Sequence, residues 1–191
     1  EMCRRNRDKN LKLHLGSGNR YLNGYVHVDI SDYDHIDIKT SVSDLKEFDD
    51  NVAHEIYASH VLEYFDREDA LVVLNEWKRV LKKDGTLRIA VPNLQALYKV
   101  YINTNDIQNI LGPIFGKWKI NDTEHIYHKT VYDQDSLSSL LHNVGFRDIK
   151  LWDWKEVFAD YPGYDDHSQA YFPHMDKEKG IHISLNLECK K

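Results

Sequence analysis

The sequence predicts an α/β fold built on one mostly parallel sheet, and two observations carry that prediction. Short β-prone runs alternate with longer segments of helical periodicity, which is typical of repeated strand–helix–strand units. The final run, residues 181–189, alternates apolar with polar side chains, as expected of a strand with one thinly covered face. At 191 residues the chain is short for two domains, so we expect residues 1–191 to form one.

Seven runs are expected to form strands, because each is short, apolar and rich in β-prone residues. They are residues 13–15, 25–30, 36–38, 55–59, 86–91, 146–154 and 181–189. Two amphipathic helices are expected between them. The first should begin after an Asp66 N-cap and close at residues 82–85, and the second should run from an Asp135 N-cap to Gly145.

The links between the first three strands, residues 16–24 and 31–35, are too short to hold a full helix and its turns. One face of the sheet should therefore lack two covering helices. The N-terminal segment, the aromatic insert at about 155–180 or a second subunit in a homodimer are the candidates to cover it. We also expect the insert to fold over the site as a lid.

Composition narrows the function classes. The net charge is -6, and the only basic cluster lies in the first twelve residues, which argues against nucleic acid as a partner. No apolar run is long enough to span a membrane, and no secretory segment is visible, so a cytoplasmic location is expected. The cysteines and histidines show no tight metal-ligand spacing, so no metal is expected.

The chemistry should lie after the first two strands. Gly16-Ser17-Gly18-Asn19 follows the first strand, and Asp29 ends the second. Glycine permits close approach of the backbone to a charged ligand, and a carboxylate at the next strand end can accept both hydroxyls of a ribose. A glycine pair alone is weak evidence for a nucleotide-type cofactor, but this order of motifs is stronger.

Several motifs together resemble the class I S-adenosylmethionine-dependent methyltransferases, in particular the small bacterial and phage-type members. The motifs are residues 13–19, 28–30, 59–64, 80–87, 140–146 and 184–187. The resemblance implies S-adenosylmethionine as cofactor, released as S-adenosyl-L-homocysteine. It also implies a sheet in the order 3-2-1-4-5-7-6 with an antiparallel seventh strand.

The resemblance also assigns site residues. Gly16, Ser17, Gly18 and Asn19 would line the methionine and ribose portion. Asp29 would accept from the ribose hydroxyls, with Ile30 against the adenine. Asp44 would accept from the adenine amino group, and Leu45 would supply a backbone donor. Ser59 and His60 would lie beside the sulfonium.

Two positions depart from the family pattern. Most members have an acid two residues before the first glycine and a third glycine two residues after the second, whereas this chain has His14 and Arg20. The cofactor ammonium therefore lacks its usual anchor. Carbonyls of the glycine loop, or Glu63, are the candidate substitutes.

For catalysis, His128 is the candidate base and His60 either a base or an orienting residue; purely structural roles remain open for both. We expect methyl transfer to an oxygen or nitrogen of a small molecule or glycan. The alternatives are a catalytically degenerate methyltransferase fold that serves as a binding or accessory protein, and a nicotinamide-dependent oxidoreductase. The last is the weakest, because the loop lacks a third glycine and a following helix.

Overall fold

A computed structural model describes residues 10–191, which form a seven-stranded sheet, two short hairpins and five α-helices. The sheet strands are β1 (Lys12–Leu15), β2 (Val26–Asp29), β3 (Ile38–Lys39), β4 (Ala53–Ser59), β5 (Leu81–Pro92), β8 (Arg147–Leu151) and β11 (Ser184–Lys190). The hairpins pair β6 (Lys117–Lys119) with β7 (His125–Tyr127), and β9 (Tyr171–Phe172) with β10 (Ile181–His182). The helices are α1 (Arg67–Val80), α2 (Leu94–Thr104), α3 (Gln108–Ile114), α4 (Gln134–Val144) and α5 (Trp154–Val157).

The strand order is β3-β2-β1-β4-β5-β11-β8, which confirms the predicted 3-2-1-4-5-7-6 arrangement. Strands β1 to β5 pair in parallel, and the last strand, β11, pairs antiparallel with both of its neighbours. The carboxyl ends of β1, β2, β4 and β5 therefore meet at one edge of the sheet, where ligands bind in open α/β sheets.

One face of the sheet packs against helices in the main hydrophobic core. Leu13 and Leu15 of β1 are fully buried there, together with Trp77 of α1 and Leu141 of α4. The indole nitrogen of Trp77 donates to the carbonyl of Val42 at 2.8 Å. This hydrogen bond ties the helix layer to the loop after β3.

The two predicted helices form, with corrections at their ends. Asp66 caps α1 as predicted, but α1 ends at Val80, because Leu81 passes directly into β5 and pairs with Ala53. Residues 82–85 therefore belong to β5 and do not close the helix. The N-cap of α4 is Asp133 and not Asp135, because the Asp133 carboxylate accepts from the Ser136 amide in a capping box.

The opposite face of the sheet lacks helices between its first three strands, as predicted, since residues 16–25 and 30–37 contain none. Its cover comes from aromatic residues after β8. Trp152 and Phe158 pack on Tyr57 of β4 and Ala90 of β5. The Tyr57 hydroxyl donates to the buried carboxylate of Asp166 at 2.5 Å, which anchors the insert to the sheet.

The rest of that face carries a row of ion pairs across five strands. Glu55 accepts from Arg88 at 2.7 Å and lies 3.9 Å from the ammonium of Lys12. Glu188 accepts from Arg88 at 2.9 Å and lies 3.2 Å from the Lys150 ammonium. The insert thus covers part of this face and the ion pairs make the rest polar, and a homodimer through this face stays a prediction. The N-terminal segment before Asn10, the other proposed cover, lies outside the described residues.

Three histidines lie side by side on the same face near β1 and β2. The ring centroids of His14 and His27 are 5.5 Å apart, and those of His27 and His35 are 5.3 Å apart. Burial first, and then the nearby imidazoles of His27 and His35, lowers the pKa of His14 to about 3. Burial likewise lowers the pKa of His27. His14 is therefore a neutral imidazole at physiological pH.

Removing the central cation of the ion-pair row should destabilise the fold. In an Arg88→Met variant, Glu55 and Glu188 lose their shared partner while staying mostly buried, so the free energy of unfolding should fall by about 3 kcal/mol. The control is Arg147→Met, whose ion pairs are exposed and should contribute less than about 1 kcal/mol. Urea unfolding measures both. Equal losses in the two variants would contradict this account.

The stability of the protein should fall as the pH drops below 6.5. The unfolded chain protonates His14 near pH 6.5, whereas the folded chain keeps it neutral down to about 3, so stability present above pH 6.5 is lost as the pH falls through this window. A His14→Asn variant should reduce the slope of unfolding free energy between pH 6 and 4 by about 1.4 kcal/mol per pH unit. The control is His54→Asn, at an exposed site. An unchanged slope for His14→Asn would refute the assignment.

Candidate active site

A cavity of about 680 Å³ opens at the carboxyl edge of the sheet. This volume is typical of small-molecule sites. Nine of the predicted site residues line it: Gly16, Ser17, Gly18, Asn19, Asp29, Ile30, Ser59, His60 and His128. Hairpin β6–β7 and the insert form its outer wall. The strands alone would leave the cavity open to solvent, so these two segments enclose it.

The glycine loop depends on the absence of side chains. Gly16 and Gly18 have φ angles of +63° and +53°, in the left-handed region that other residues rarely adopt. A Cβ on Gly16 would lie 2.4 Å from Val61, and one on Gly18 would lie 3.0 Å from the ring of Trp118. Both glycines are therefore required for the loop to fit between β4 and the β6–β7 hairpin.

Asp29 holds this loop in place. Its Oδ2 accepts from the amide of Gly18 at 2.8 Å and its Oδ1 accepts from the amide of Ser31 at 2.7 Å. The Asp29 side chain is buried. A carboxylate offers about four acceptor positions, so about two remain for a ligand.

Three cavity-lining residues carry buried polar atoms that have no hydrogen-bond partner within the chain. They are Nδ1 of His14, Oγ of Ser17 and Oγ of Ser59. Buried polar groups are normally hydrogen-bonded, because leaving one unpaired costs about 1 to 3 kcal/mol. Their position beside the glycine loop indicates a polar ligand. The residues present thus fit a nucleoside-type cofactor.

Two residues predicted to contact the cofactor, Asp44 and Leu45, do not line the cavity. The Asp44 side chain is 54% exposed, pairs with Lys46 at 3.2 Å and does not line the cavity, because a turn back to Ser41 directs it to solvent. The amide of Leu45 already donates to Glu76 Oε1 at 2.9 Å, so it is not a free donor. Ser41 and Val42 line the cavity in their place.

His60 lies at the carboxyl end of β4 in a strained conformation, with a φ of +54°. Its Nδ1 is 3.2 Å from Oε1 of Glu63, and its Nε2 is 3.1 Å from Oγ of Ser184. Both ring nitrogens therefore have fixed partners. Such strain is retained where the surrounding structure requires one orientation of a side chain, as it does here.

His128 faces the cavity from the loop after β7. Its Nδ1 lies 2.9 Å from the carbonyl of Pro113, which can only accept, so Nδ1 carries the proton and Nε2 carries the lone pair. Burial lowers the pKa of His128, and the Glu63 carboxylate, 3.8 Å from Nε2, opposes that shift. The amide of Lys129 donates to the backbone carbonyl of Glu63 at 2.8 Å, which fixes this loop.

Sequence reasoning missed several cavity residues. Trp118 covers Gly18 and donates weakly to Ser31 Oγ at 3.4 Å, and His167 and Tyr171 enter from the insert. No local motif marks any of them, because distant segments bring them to the cavity.

Across residues 10–191, no group of three or more His, Cys, Asp or Glu side chains is placed to hold a metal ion. Nor does any helix in that range have the length and apolarity that crossing a bilayer requires.

Comparison with known proteins agrees with this geometry. Residues 15–89, which contain the glycine loop, Asp29 and His60, match the family model described as a methyltransferase domain. No curated protein matched the chain.

Solved structures share the fold over almost the whole chain. An S-adenosylmethionine-dependent methyltransferase from Archaeoglobus fulgidus is 19% identical, with a TM-score of 0.56 over 95% of this chain and 86% of that one. A possible histamine N-methyltransferase from Thermotoga maritima is 13% identical, with a TM-score of 0.58 over 96% and 83%. The 1,6-didemethyltoxoflavin-N1-methyltransferase of Burkholderia thailandensis, with S-adenosylhomocysteine bound, is 13% identical, with a TM-score of 0.55 over 95% and 70%.

At these identities the structural likeness shows the fold, and the domain match runs from the end of β1 through most of β5. Both findings confirm the resemblance drawn from the sequence motifs. The chain therefore has the fold of the class I, S-adenosylmethionine-dependent methyltransferases, and its residues 15–89 match a methyltransferase domain.

Proposed function

We propose that this chain transfers a methyl group from S-adenosylmethionine to an oxygen or nitrogen of a small molecule or glycan held in the cavity. The observation that carries the proposal is the set of unpartnered buried polar atoms of His14, Ser17 and Ser59 beside the glycine loop. The bound cofactor would supply a methyl group already activated on a sulfonium. The protein then has mainly to align donor and acceptor and to manage the acceptor's proton.

The cofactor would lie along the edge formed by β1, β2 and β4. The backbone of the glycine loop and Ser17 Oγ would contact the methionine and ribose portion. The free acceptor positions of Asp29 would take the ribose hydroxyls, and Ile30 would lie against the adenine. Ser59 Oγ and His60 would be beside the sulfonium. Ser41 and Val42 replace Asp44 and Leu45 as the proposed adenine neighbours.

The ammonium of the methionine portion needs an acceptor other than the usual acid. A neutral His14 can accept one hydrogen bond through Nδ1 but supplies no negative charge. Glu63 has no exposed surface and does not line the cavity, so the structure does not support it as the substitute anchor. Carbonyls of the glycine loop remain the proposed partners, together with Nδ1 of His14.

The acceptor would lie between His128 and the insert, in the part of the cavity beyond His60. Nε2 of His128, with its lone pair, is the proposed base, and Tyr171 and His174 line the wall opposite the sheet. We propose that residues 155–180 act as a lid within one domain. The Burkholderia neighbour, which binds 1,6-didemethyltoxoflavin, supports a small-molecule acceptor.

A second candidate is a degenerate methyltransferase fold that serves as a binding or accessory protein. The substitution of His14 for the usual acid favours it, because a buried neutral imidazole gives the cofactor ammonium no counter-charge. The two candidates differ in turnover: only the enzyme produces S-adenosylhomocysteine when an acceptor is present.

S-adenosylhomocysteine should bind the chain, and its affinity should depend on the unpartnered hydroxyls. Ser17→Ala or Ser59→Ala removes a buried hydroxyl with no partner in the chain, so the melting temperature should be unchanged or higher. If the ligand uses that hydroxyl, calorimetric affinity should fall by a factor of about 2 to 10. The control is Ser139→Ala, at an exposed site. Unchanged affinity in both variants, or no binding to the wild type at millimolar ligand, would refute the cofactor placement.

Methyl transfer should be detectable with a panel of acceptors. The protein is incubated with S-adenosylmethionine and, separately, with phenols, amines and oligosaccharides, and S-adenosylhomocysteine is quantified. At least one class should give turnover that is lost in His128→Gln, because that variant lacks the proposed base. Ligand binding without turnover for every class would favour the accessory-protein candidate.

A further inference from the structure

Glu63 occupies an unusual position behind the cavity wall. Its side chain has no exposed surface, and neither carboxylate oxygen makes a hydrogen bond of good geometry. Nevertheless, Oε1 lies 3.2 Å from Nδ1 of His60 and 3.8 Å from Nε2 of His128, and both imidazoles line the cavity. Burying a carboxylate without hydrogen bonds is costly, so this arrangement indicates a functional constraint.

A chain of hydrogen bonds fixes the protons on His60. The side-chain amide of Asn186 donates to the carbonyl of Ser168 at 3.0 Å, which directs its oxygen towards Ser184. The Ser184 hydroxyl donates to that oxygen at 2.8 Å, so Oγ is left to accept from Nε2–H of His60. The proton of the neutral imidazole is thereby assigned to Nε2. Any second proton lies between Nδ1 of His60 and Oε1 of Glu63.

On the other side of Glu63, His128 presents its unprotonated nitrogen, since its Nδ1–H donates to Pro113. Oε1 of Glu63 thus lies within 4 Å of a nitrogen of each imidazole. One negative charge is available to the imidazolium forms of both rings. A proton gained at either ring changes the energy of the other.

Resting on the methyltransferase function proposed above, we infer that Glu63 is a positioning residue that shares a proton with His60 and balances the charge His128 gains during transfer. The acceptor is accordingly a hydroxyl or a neutral amine, which loses a proton in the transfer, and not a thiolate or carboxylate. As the acceptor forms its bond to the methyl carbon, the carbon–sulfur bond breaks with its electron pair left on sulfur. The acceptor's proton passes to Nε2 of His128.

Two tyrosines beside this cluster, Tyr64 and Tyr132, supply no competing charge. The Tyr64 ring packs edge-on against His128. The buried hydroxyl of Tyr132 interacts electrostatically with the Glu63 carboxylate. Burial first, and then Glu63, raises the pKa of Tyr132 to about 12 and raises that of Tyr64 as well, so both phenols stay neutral. His167, whose ring is 5.3 Å from that of His60, is the remaining titratable neighbour.

The test is an NMR titration of the imidazole resonances of His128 in the wild type and in Glu63→Gln. Removing the carboxylate should lower the pKa of His128 by about 1 unit or more, because an opposite charge within about 4 to 6 Å stabilises the protonated form. The control is Glu68→Gln, an exposed change of the same net charge, which should leave the pKa of His128 within about 0.3 units. An unchanged pKa of His128 in a folded Glu63→Gln protein would overturn the inference.

A second variant covers the case in which Glu63→Gln does not fold. In His60→Gln the pKa of His128 should rise, because residue 60 can no longer place a second positive charge beside Glu63. An unchanged pKa of His128 would overturn the inference. Binding of S-adenosylhomocysteine is measured on the same samples. If the wild type does not bind S-adenosylhomocysteine, the proposed function is refuted. The titrations test the role of Glu63 independently of that result.

Discussion

The carboxylate of Asp29 is the contact on which the candidate site depends. It joins the end of β2 to the loop after β1 by accepting from the amides of Gly18 and Ser31. Gly18 in turn lies against Trp118 of the β6–β7 hairpin, so the position of this outer wall follows from the position of the loop. One buried carboxylate therefore sets the geometry of the glycine loop and, through it, the width of the cavity.

The loss of helices between the first three strands explains the other unusual features. A parallel sheet normally has helices on both faces. Here the insert buries the part of the bare face nearest the cavity, and a row of ion pairs centred on Arg88 makes the rest compatible with water. The same insert brings Asp166 and His167 to the cavity. Covering the sheet and enclosing the site are thus done by one segment.

The sequence predicted what local patterns encode. Strand positions and the Asp66 cap follow from hydrophobic periodicity and capping chemistry, and the resemblance to the class I methyltransferases implied the strand order. The prediction from sequence was wrong where several local signals compete. Asp133 and Asp135 are both plausible N-caps of the same helix. The Lys-Lys-Asp-Gly run at residues 82–85 resembles a helix end, although it lies in β5. Asp44 was carried over by motif position, and a turn moves it to solvent.

The cluster of Glu63, His60 and His128 could not be predicted as a unit. Glu63 and His128 are 65 positions apart in the sequence, and only folding brings them together.

The central claim is that Asp29 holds the glycine loop and has acceptor positions left for a ribose. A crystal structure with S-adenosylhomocysteine tests it most directly. We expect the ribose hydroxyls within about 3 Å of the Asp29 carboxylate, with its bonds to Gly18 and Ser31 retained. A ligand bound elsewhere, or a ribose that makes no contact with Asp29, would contradict the account.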